Sequence, residues 1–208
     1  LTITLYFVKT NLVYSIQSNL SIEVYHTTFF HLISWGKRLK CLIIMQFMPL
    51  TIGALQLENP LILAPMAGIT SLPFRKTMKS FGASLVFTEM ISANGLIRDG
   101  RKTFELLETC PEENPLGIQL FGDDSTVLAE AARMVADRAD LLDINMGCPV
   151  KKVVRSGAGS ALLQDPLQIG RIIEAVRAVF SEPLTIKIRS GWDQSNINFL
   201  EVAKIATD

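Results

Sequence analysis

The alternation of short apolar runs with longer amphipathic segments constrains the fold of this chain more than any other feature. Five apolar runs predict strands, at Leu61–Ala64, Leu85–Glu89, Gly117–Phe121, Leu141–Asn145 and Leu184–Ile188. Helical spacing between them predicts helices, at Pro73–Phe81, Ser125–Ala136 and Pro166–Phe180, with a fourth that begins near Asn198. Continuous apolar strands joined by helical crossovers predict a parallel sheet covered on both faces.

The positions of the polar and reactive residues favour a barrel over an open, doubly wound sheet. Such residues lie at or just beyond the C-terminal ends of the strands, namely Pro65, Met66, Glu89, Gln119, Asn145, Cys148, Lys187 and Arg189. In a (β/α)8 barrel these strand ends converge on one mouth. An open sheet brings together mainly the ends that flank its switch point, and no GxGxxG follows the first strand. Because a complete barrel takes about 250 residues, we predict an incomplete α/β TIM barrel with about five of eight units.

Residues 1–44 differ in composition from the rest of the chain. They contain no Pro, Ala or Asp, they hold all three Tyr and both His, and Glu23 is their only acidic residue. Residues 45–208 carry all nine Pro, and their 16 basic and 19 acidic residues give a net charge of −3. We therefore predict a boundary near Met45, with residues 1–44 as an upstream translated leader and 45–208 as the N-terminal portion of the barrel domain. An apolar targeting segment with a cleavage site is missing from the leader.

Composition narrows the class of protein further. A charged fraction of 19% and a hydrophobic fraction of 49% exclude disorder for the bulk of the chain. The three cysteines form no CxxC or Cys/His spacing, so we expect neither a disulfide scaffold nor a metal site. Basic residues within 37–40 interrupt the run that comes nearest to a membrane span. We expect a cytoplasmic protein that does not enter a membrane, and zero net charge leaves nucleic-acid binding open.

Cys148 is the strongest candidate for a reactive residue. It lies one loop step beyond a predicted strand, between Gly147 and Pro149. A thiol with an ordinary pKa of about 8.5 is mostly protonated at neutral pH, so it could act as a general acid. The alternative is a small buried hydrophobe, which is what a free cysteine usually is. A nucleophile of the cysteine-protease type would need a paired histidine, and none follows His31.

Two polar residues lie inside apolar runs, and one of them is a further candidate. Lys187 interrupts the run Leu184–Ile188, where an ammonium group is difficult to bury without a partner, and this favours a functional role. Gln119 lies within another predicted strand. A single glutamine in a strand is usually an edge residue or faces outward.

Five motifs in order resemble the tRNA-dihydrouridine synthases, with most likeness to the bacterial type B enzymes. They are APMAGIT at 64–70, TEM at 88–90, IQLFG at 118–122, DINMGCPVKKVVRSGAGSALLQDP at 143–166 and KIRSGW at 187–192. The resemblance runs from about Met45 to Asp208. The remaining barrel strands of that family and its C-terminal helical domain have no counterpart in this sequence.

The resemblance implies an FMN enzyme that uses NADPH to reduce uridines of tRNA to 5,6-dihydrouridine. By similarity, Cys148 gives the proton to C5 of the uracil. The loop of Pro65, Met66 and Ala67 packs against the flavin ring, where small residues permit close approach. Gln119 bonds the pyrimidine edge of the flavin, and the Lys187 ammonium stabilises the reduced ring near N1 and O2.

The substrate side of the implied site comprises Asn145, which lines the uracil pocket, and Arg189, which contacts substrate or phosphate. Lys151 and Lys152 follow the cysteine loop, as does Arg155, and we expect this cluster to contact tRNA phosphates. The basic residues of the first helix are a weaker candidate, since charge runs are usually solvated faces. The flavin phosphate is expected at later strands of the barrel. We expect a monomer.

Two alternatives stand beside this interpretation. One is an FMN barrel related to dihydroorotate or dihydropyrimidine dehydrogenase, which acts on free pyrimidines and also carries an Asn and a Cys-Pro loop after its fourth strand. The KKV and GAGSALL continuation argues against it. The other is an inactive truncated remnant, which retains the ancestry of an enzyme without its activity.

Overall fold

The computed structural model describes residues 49–208 and, before them, the backbone of three strands. These are β1 (Thr2–Val8), β2 (Asn11–Ser18) and β3 (Ser21–Tyr25), which pair in sequence as an antiparallel meander that the sequence analysis did not predict. The predicted boundary at Met45 lies outside the described residues and stays a prediction.

The described residues after this segment form nine strands and seven α-helices. The strands are β4 (Leu50–Ile52), β5 (Leu55–Leu57), β6 (Ile62–Leu63), β7 (Leu85–Ser92), β8 (Leu116–Phe121), β9 (Leu141–Asn145), β10 (Leu184–Ile188), β11 (Gly191–Asp193) and β12 (Asn196–Ile197). The helices are α1 (Leu72–Ser80), α2 (Ala93–Ile97), α3 (Arg101–Glu105), α4 (Ser125–Val135), α5 (Lys151–Val154), α6 (Pro166–Arg177) and α7 (Phe199–Thr207). Two 3₁₀ turns, Pro111–Glu113 and Gly159–Gln164, complete the set.

Five parallel strands, in the order β6, β7, β8, β9, β10, form the larger part of an eight-stranded sheet that β1, β2 and β3 complete. Each strand lies beside the next strand in the chain, so the order contains no reversal. A doubly wound sheet reverses its order at a switch point, whereas a barrel wall does not. The parallel strands curl into half of a barrel wall, which confirms the predicted incomplete (β/α)8 fold. The last of them, β10, pairs antiparallel with β1.

Helix caps and buried strands explain why the predicted elements form. β8 and β9 are buried along almost their whole length, as parallel strands between layers require. Asp124 caps α4 by accepting a 2.9 Å hydrogen bond from the Val127 amide, and Asp165 caps α6 through the Gln168 amide at 3.1 Å. The buried faces of α4 and α6 pack with the strands in one hydrophobic cluster.

Arg75 departs from the expectation that the basic residues of the first helix form a solvated face. Its side chain is buried, and its guanidinium makes two bonds to the Glu113 carboxylate, at 2.6 and 3.1 Å. Nη1 and Nη2 also donate to the carbonyl oxygens of Thr70 at 2.8 Å and Glu108 at 2.7 Å, respectively. Arg75 therefore joins the loop that precedes α1 to the connection between β7 and β8.

We expect Arg75→Met to lower the free energy of unfolding by about 3 to 5 kcal/mol, because it leaves the Glu113 carboxylate buried without a charge partner. Urea unfolding followed by circular dichroism measures this. The matched control is Arg101→Met, which removes an exposed ion pair with Glu105 at 3.4 Å and should change stability by less than about 0.5 kcal/mol. Equal effects of the two substitutions would contradict a structural role for the buried pair.

Candidate active site

The polar side chains predicted from the sequence meet on one face of the sheet, toward the C-terminal ends of β7 to β10. Strand register places four residues in one row across the sheet, and the row consists of Met90, Gln119, Asp143 and Thr185. Asn145 and Lys187 form the next row, two residues further along β9 and β10. Since side chains alternate between the two faces of a strand, the paired rows on β9 and β10 project from the same face.

A chain of hydrogen bonds links the cysteine loop to the interior of the sheet. The backbone amides of Cys148 and Gly147 donate to Asn145 Oδ1 at 2.9 and 3.2 Å. Asn145 Nδ2 donates to Gln119 Oε1 at 3.0 Å. Gln119 Nε2 donates in turn to Asp143 Oδ2 at 2.6 Å. These bonds give the loop that carries Cys148 a fixed attachment to β8 and β9.

Asp143 is the most deeply buried acid of this group, with none of its surface exposed. Burial raises the pKa of its carboxyl from 3.8 to about 7, against the opposing effect of hydrogen bonds from Gln119 and Thr185 and of the Lys187 charge. Thr185 Oγ1 lies 2.6 Å from Asp143 Oδ1. Lys187 is half-buried, and burial lowers the pKa of its ammonium group while Asp143 acts in the opposite direction.

The glycine-rich run after the cysteine loop supports that loop from behind. Gly159 has a φ of +62°, and a Cβ there would lie 2.6 Å from the Cys148 carbonyl oxygen. The Ser160 amide donates to the same oxygen at 3.0 Å. A side chain at position 159 would therefore displace the cysteine backbone, which explains a glycine here in steric terms. Cys148 itself is half-exposed.

The loop after β6 is held at the same mouth by Glu89. Glu89 Oε2 accepts a 2.5 Å hydrogen bond from the amide of Gly68, a residue with a φ of +75°. The Met66 amide and carbonyl both bond the Thr70 hydroxyl at 3.1 Å. Within this loop Pro65 is buried, while Ala67 and Gly68 are exposed. The loop thus presents small residues to the mouth on a fixed backbone.

The structure brings together most of the predicted site residues. Gln119, Asn145 and Cys148 are joined by the bonds described above, and Lys187 is the strand neighbour of Asn145. The Arg189 side chain lies 3.2 Å from where a Cβ on Gly147 would stand, so it packs on the cysteine loop. Lys151 and Lys152 begin the short helix α5 and are exposed.

The Gln119 amide is bonded within the protein at both ends. Gln119 has none of its surface exposed, and both ends of its amide already bond protein groups. A direct bond from Gln119 to a flavin, which stays a prediction, would require the side chain to become accessible. In the described arrangement, Gln119 orients Asn145.

Sequence reasoning missed three residues of the site. Asp143 and Thr185 were assigned no role, and Glu89 was noted only as a residue at a strand end. A signal for Asp143 was present, because a carboxylate inside the apolar run Leu141–Asn145 is as hard to bury as the Lys187 ammonium. Thr185 carried no comparable signal, since threonine is common in strands.

Three further observations concern other kinds of site in the described residues. A cavity of about 540 Å³ lies between α6, α7 and the start of β10 and is lined by none of the predicted site residues. In the part of the chain that the structure describes, no three His, Cys, Asp or Glu side chains are placed to hold a metal ion. Among these same residues, no helix has the length and apolar character needed to cross a membrane.

Comparison with known proteins gives consistent matches. The family model described as dihydrouridine synthase matches residues 62–208. The tRNA-dihydrouridine synthase B of Pseudomonas aeruginosa is 46% identical over 156 residues, which are 74% of this chain and 47% of the relative. The protein of the same name from Pasteurella multocida has the same identity and coverage. The probable tRNA-dihydrouridine synthase of Treponema pallidum is 36% identical over 167 residues, 77% of this chain and 49% of the relative. This chain spans about half the length of these curated relatives.

We expect Asp143→Asn to gain stability relative to the unsubstituted chain as the pH rises. Folding raises the pKa of the Asp143 carboxyl to about 7, so the folded chain holds this proton more tightly than the unfolded chain. The carboxyl therefore contributes most to the free energy of unfolding below its unfolded pKa, and this contribution is lost as the pH rises through 7. An amide does not titrate. The difference in free energy of unfolding should change by up to about 4 kcal/mol between pH 4 and 8, since one pKa unit corresponds to about 1.4 kcal/mol.

Urea unfolding at pH 4, 6 and 8 measures this change. The control is Asp137→Asn, at an exposed position, which should shift stability by less than about 0.5 kcal/mol at each pH. A difference between Asp143→Asn and the unsubstituted chain that stays constant from pH 4 to 8 would refute the raised pKa.

Proposed function

This chain belongs to the dihydrouridine synthase family, and from that premise we propose that it acts in the reduction of uridine in tRNA to 5,6-dihydrouridine. The observation that carries the proposal is the half-exposed Cys148 at the barrel mouth, on a loop whose amides bond Asn145. The family match covers this loop and all five parallel strands. A tRNA substrate also agrees with the cytoplasmic location expected from the sequence.

The residues at the mouth fit a flavin, which we propose as FMN reduced by NADPH. The small residues Ala67 and Gly68 are exposed on a loop that Glu89 holds in place, and nothing lies within 4 Å of a Cβ built on Gly68. This leaves room for a flat ring to approach the backbone. Pro65 and Met66 would support that ring from the same loop, and the Lys187 ammonium would face its electron-rich edge. When bound, reduced FMN would supply hydride to C6 of the uracil.

Cys148 would supply the proton that completes the reduction. Addition of hydride at C6 and of a proton at C5 saturates the C5=C6 bond, so the reaction needs one acid on the opposite side of the uracil ring. The S–H group of Cys148 can serve, because its backbone is held by Asn145 in front and by the Gly159 turn behind. Asn145 would line the uracil pocket beside it.

The basic residues near the cysteine loop would bind the tRNA backbone. Lys151 and Lys152 lie immediately after the loop and are exposed, and Arg189 packs against the loop from β10. A uridine that reaches the mouth must leave its stack, which costs a few kcal/mol that phosphate contacts offset. We propose that these three residues provide such contacts.

We expect Cys148→Ala to lower the rate of dihydrouridine formation by about 10²- to 10⁴-fold, the usual contribution of a general acid. The assay incubates the chain with FMN, NADPH and an unmodified tRNA transcript, and mass spectrometry detects the gain of two hydrogens per uridine. The control is Cys110→Ser, at a cysteine that lies next to the 3₁₀ turn between β7 and β8. It should leave the rate within about 2-fold.

The same assay with free uracil and orotate tests the alternative substrate class. Reduction of a free pyrimidine with no product on tRNA would contradict the proposal. Failure of the unsubstituted chain to retain flavin or to react with any of these substrates would favour the inactive remnant instead.

We expect Lys151→Glu to weaken tRNA binding and to reduce the slope of log affinity against log salt by about 1 or more, because a phosphate contact releases a counterion. Filter binding between 50 and 200 mM salt measures this. The control is Lys204→Glu near the C-terminal end of α7, which lies away from the mouth because crossover helices run antiparallel to the strands. Equal losses for both variants would indicate a general charge effect.

A further inference from the structure

We propose that Asp143 is a positioning residue, whose carboxyl fixes the orientation of the Gln119 and Asn145 amides and so places the Cys148 loop. This inference rests on the proposed function for its meaning, because it assigns a role toward the proton donor. It does not rest on that function for its test, since the position of the thiol is measured without substrate or cofactor. Asp143 touches neither Cys148 nor the exposed mouth, so it acts through the two amides.

The direction of every hydrogen bond in the chain is determined from its backbone end. The amides of Gly147 and Cys148 can only donate, so Asn145 must present its Oδ1 to them. Its Nδ2 then faces Gln119, which must present Oε1. This leaves Gln119 Nε2 directed inward, where a buried donor without an acceptor would be costly.

Asp143 is the group that ends this chain with an acceptor. Its Oδ2 accepts from Gln119 Nε2 at 2.6 Å. If position 143 carried no acceptor, Gln119 Nε2 would be buried without a partner, and the Gln119 side chain would no longer be held in the orientation that presents Oε1 to Asn145. That loss of order would pass through Asn145 to the amides of Gly147 and Cys148. Asp143 therefore holds, from the buried end, the orientation of the two amides that the cysteine loop requires.

The other oxygen of Asp143 lets the chain persist in both protonation states. With the carboxyl ionised, the Thr185 hydroxyl donates to Oδ1 at 2.6 Å. With a proton on Oδ1, the carboxyl donates to Thr185 Oγ1, and the hydroxyl can turn toward the Leu142 carbonyl at 3.5 Å. Oδ2 stays an acceptor for Gln119 in either state. Lys187, in the next row, is the charged group that acts on Asp143, and Arg189 acts in turn on Lys187.

Two substitutions of similar volume at position 143 test this role. Asp143→Leu removes the acceptor and leaves Gln119 Nε2 buried without a partner. Asp143→Asn keeps an oxygen that accepts from Gln119 Nε2, and its amide nitrogen can donate to Thr185 Oγ1. A role for residue 143 in filling space alone predicts no difference between the two variants.

The readout is the rate at which iodoacetamide alkylates Cys148 at pH 8 in the full chain, with Cys41→Ser and Cys110→Ser as background. We expect Asp143→Leu to raise this rate at least about 5-fold, because the amides that hold the loop lose their fixed orientation. We expect Asp143→Asn to leave it within about 2-fold of the background. The ¹⁵N–¹H shift of the Cys148 amide, in chain labelled with ¹⁵N-cysteine, should move in Asp143→Leu and change little in Asp143→Asn.

An alkylation rate for Asp143→Leu within 2-fold of the background, in a variant that still unfolds cooperatively, overturns the proposal. If Asp143→Leu does not fold, Asp143→Asn decides, since it must fold and show the background rate. An Asp143→Asn variant that folds but shows a rate altered 5-fold overturns the proposal as well. None of these measurements involves tRNA, FMN or NADPH, so failure of the proposed function would leave them unaffected.

Discussion

A carboxyl group buried between three parallel strands determines how the mouth of this half-barrel is built. Asp143 on β9 has none of its surface exposed, and it bonds Gln119 on β8 and Thr185 on β10. A buried polar group without partners is costly, so each strand must supply a complementary group at the same level of the sheet. The strand register meets this requirement, because the three residues are direct neighbours across the ladder.

The mouth divides into a buried polar layer and an exposed reactive layer above it. The buried layer is satisfied within the protein and is therefore rigid. Cys148, Ala67 and the lysines of α5 lie above it, where a substrate could reach them. Both loops that carry reactive positions are held from below, the cysteine loop by Asn145 and the loop after β6 by Glu89. Preorganisation of this kind is what the proposed transfer of a hydride and a proton would require.

The sequence predicted the five strands and four helices well because their signals are local. Apolar runs such as Leu141–Asn145 and caps such as Asp165 lie within a few residues of the elements they specify. The short helices α2 and α3 and the β4–β5 hairpin were not predicted, since elements of three to five residues carry too little periodicity. The burial of Arg75 could not be predicted, because its partner Glu113 lies 38 residues away. The partners of Asp143 required the strand register, which no local pattern contains.

The four buried hydrogen bonds of Arg75, here called the Arg75 clamp, control how the edge of the sheet opens. β6 is only two residues long and is the edge strand, with β7 as its partner, so its own ladder bonds would allow it to fray readily. The clamp ties the residues just after β6 to the far side of β7, so fraying would have to expose a buried ion pair. Amide hydrogens of the loop after β6 should then exchange with solvent in the same slow cooperative event as those of β7. The first strand–helix unit should therefore open and close together with the second.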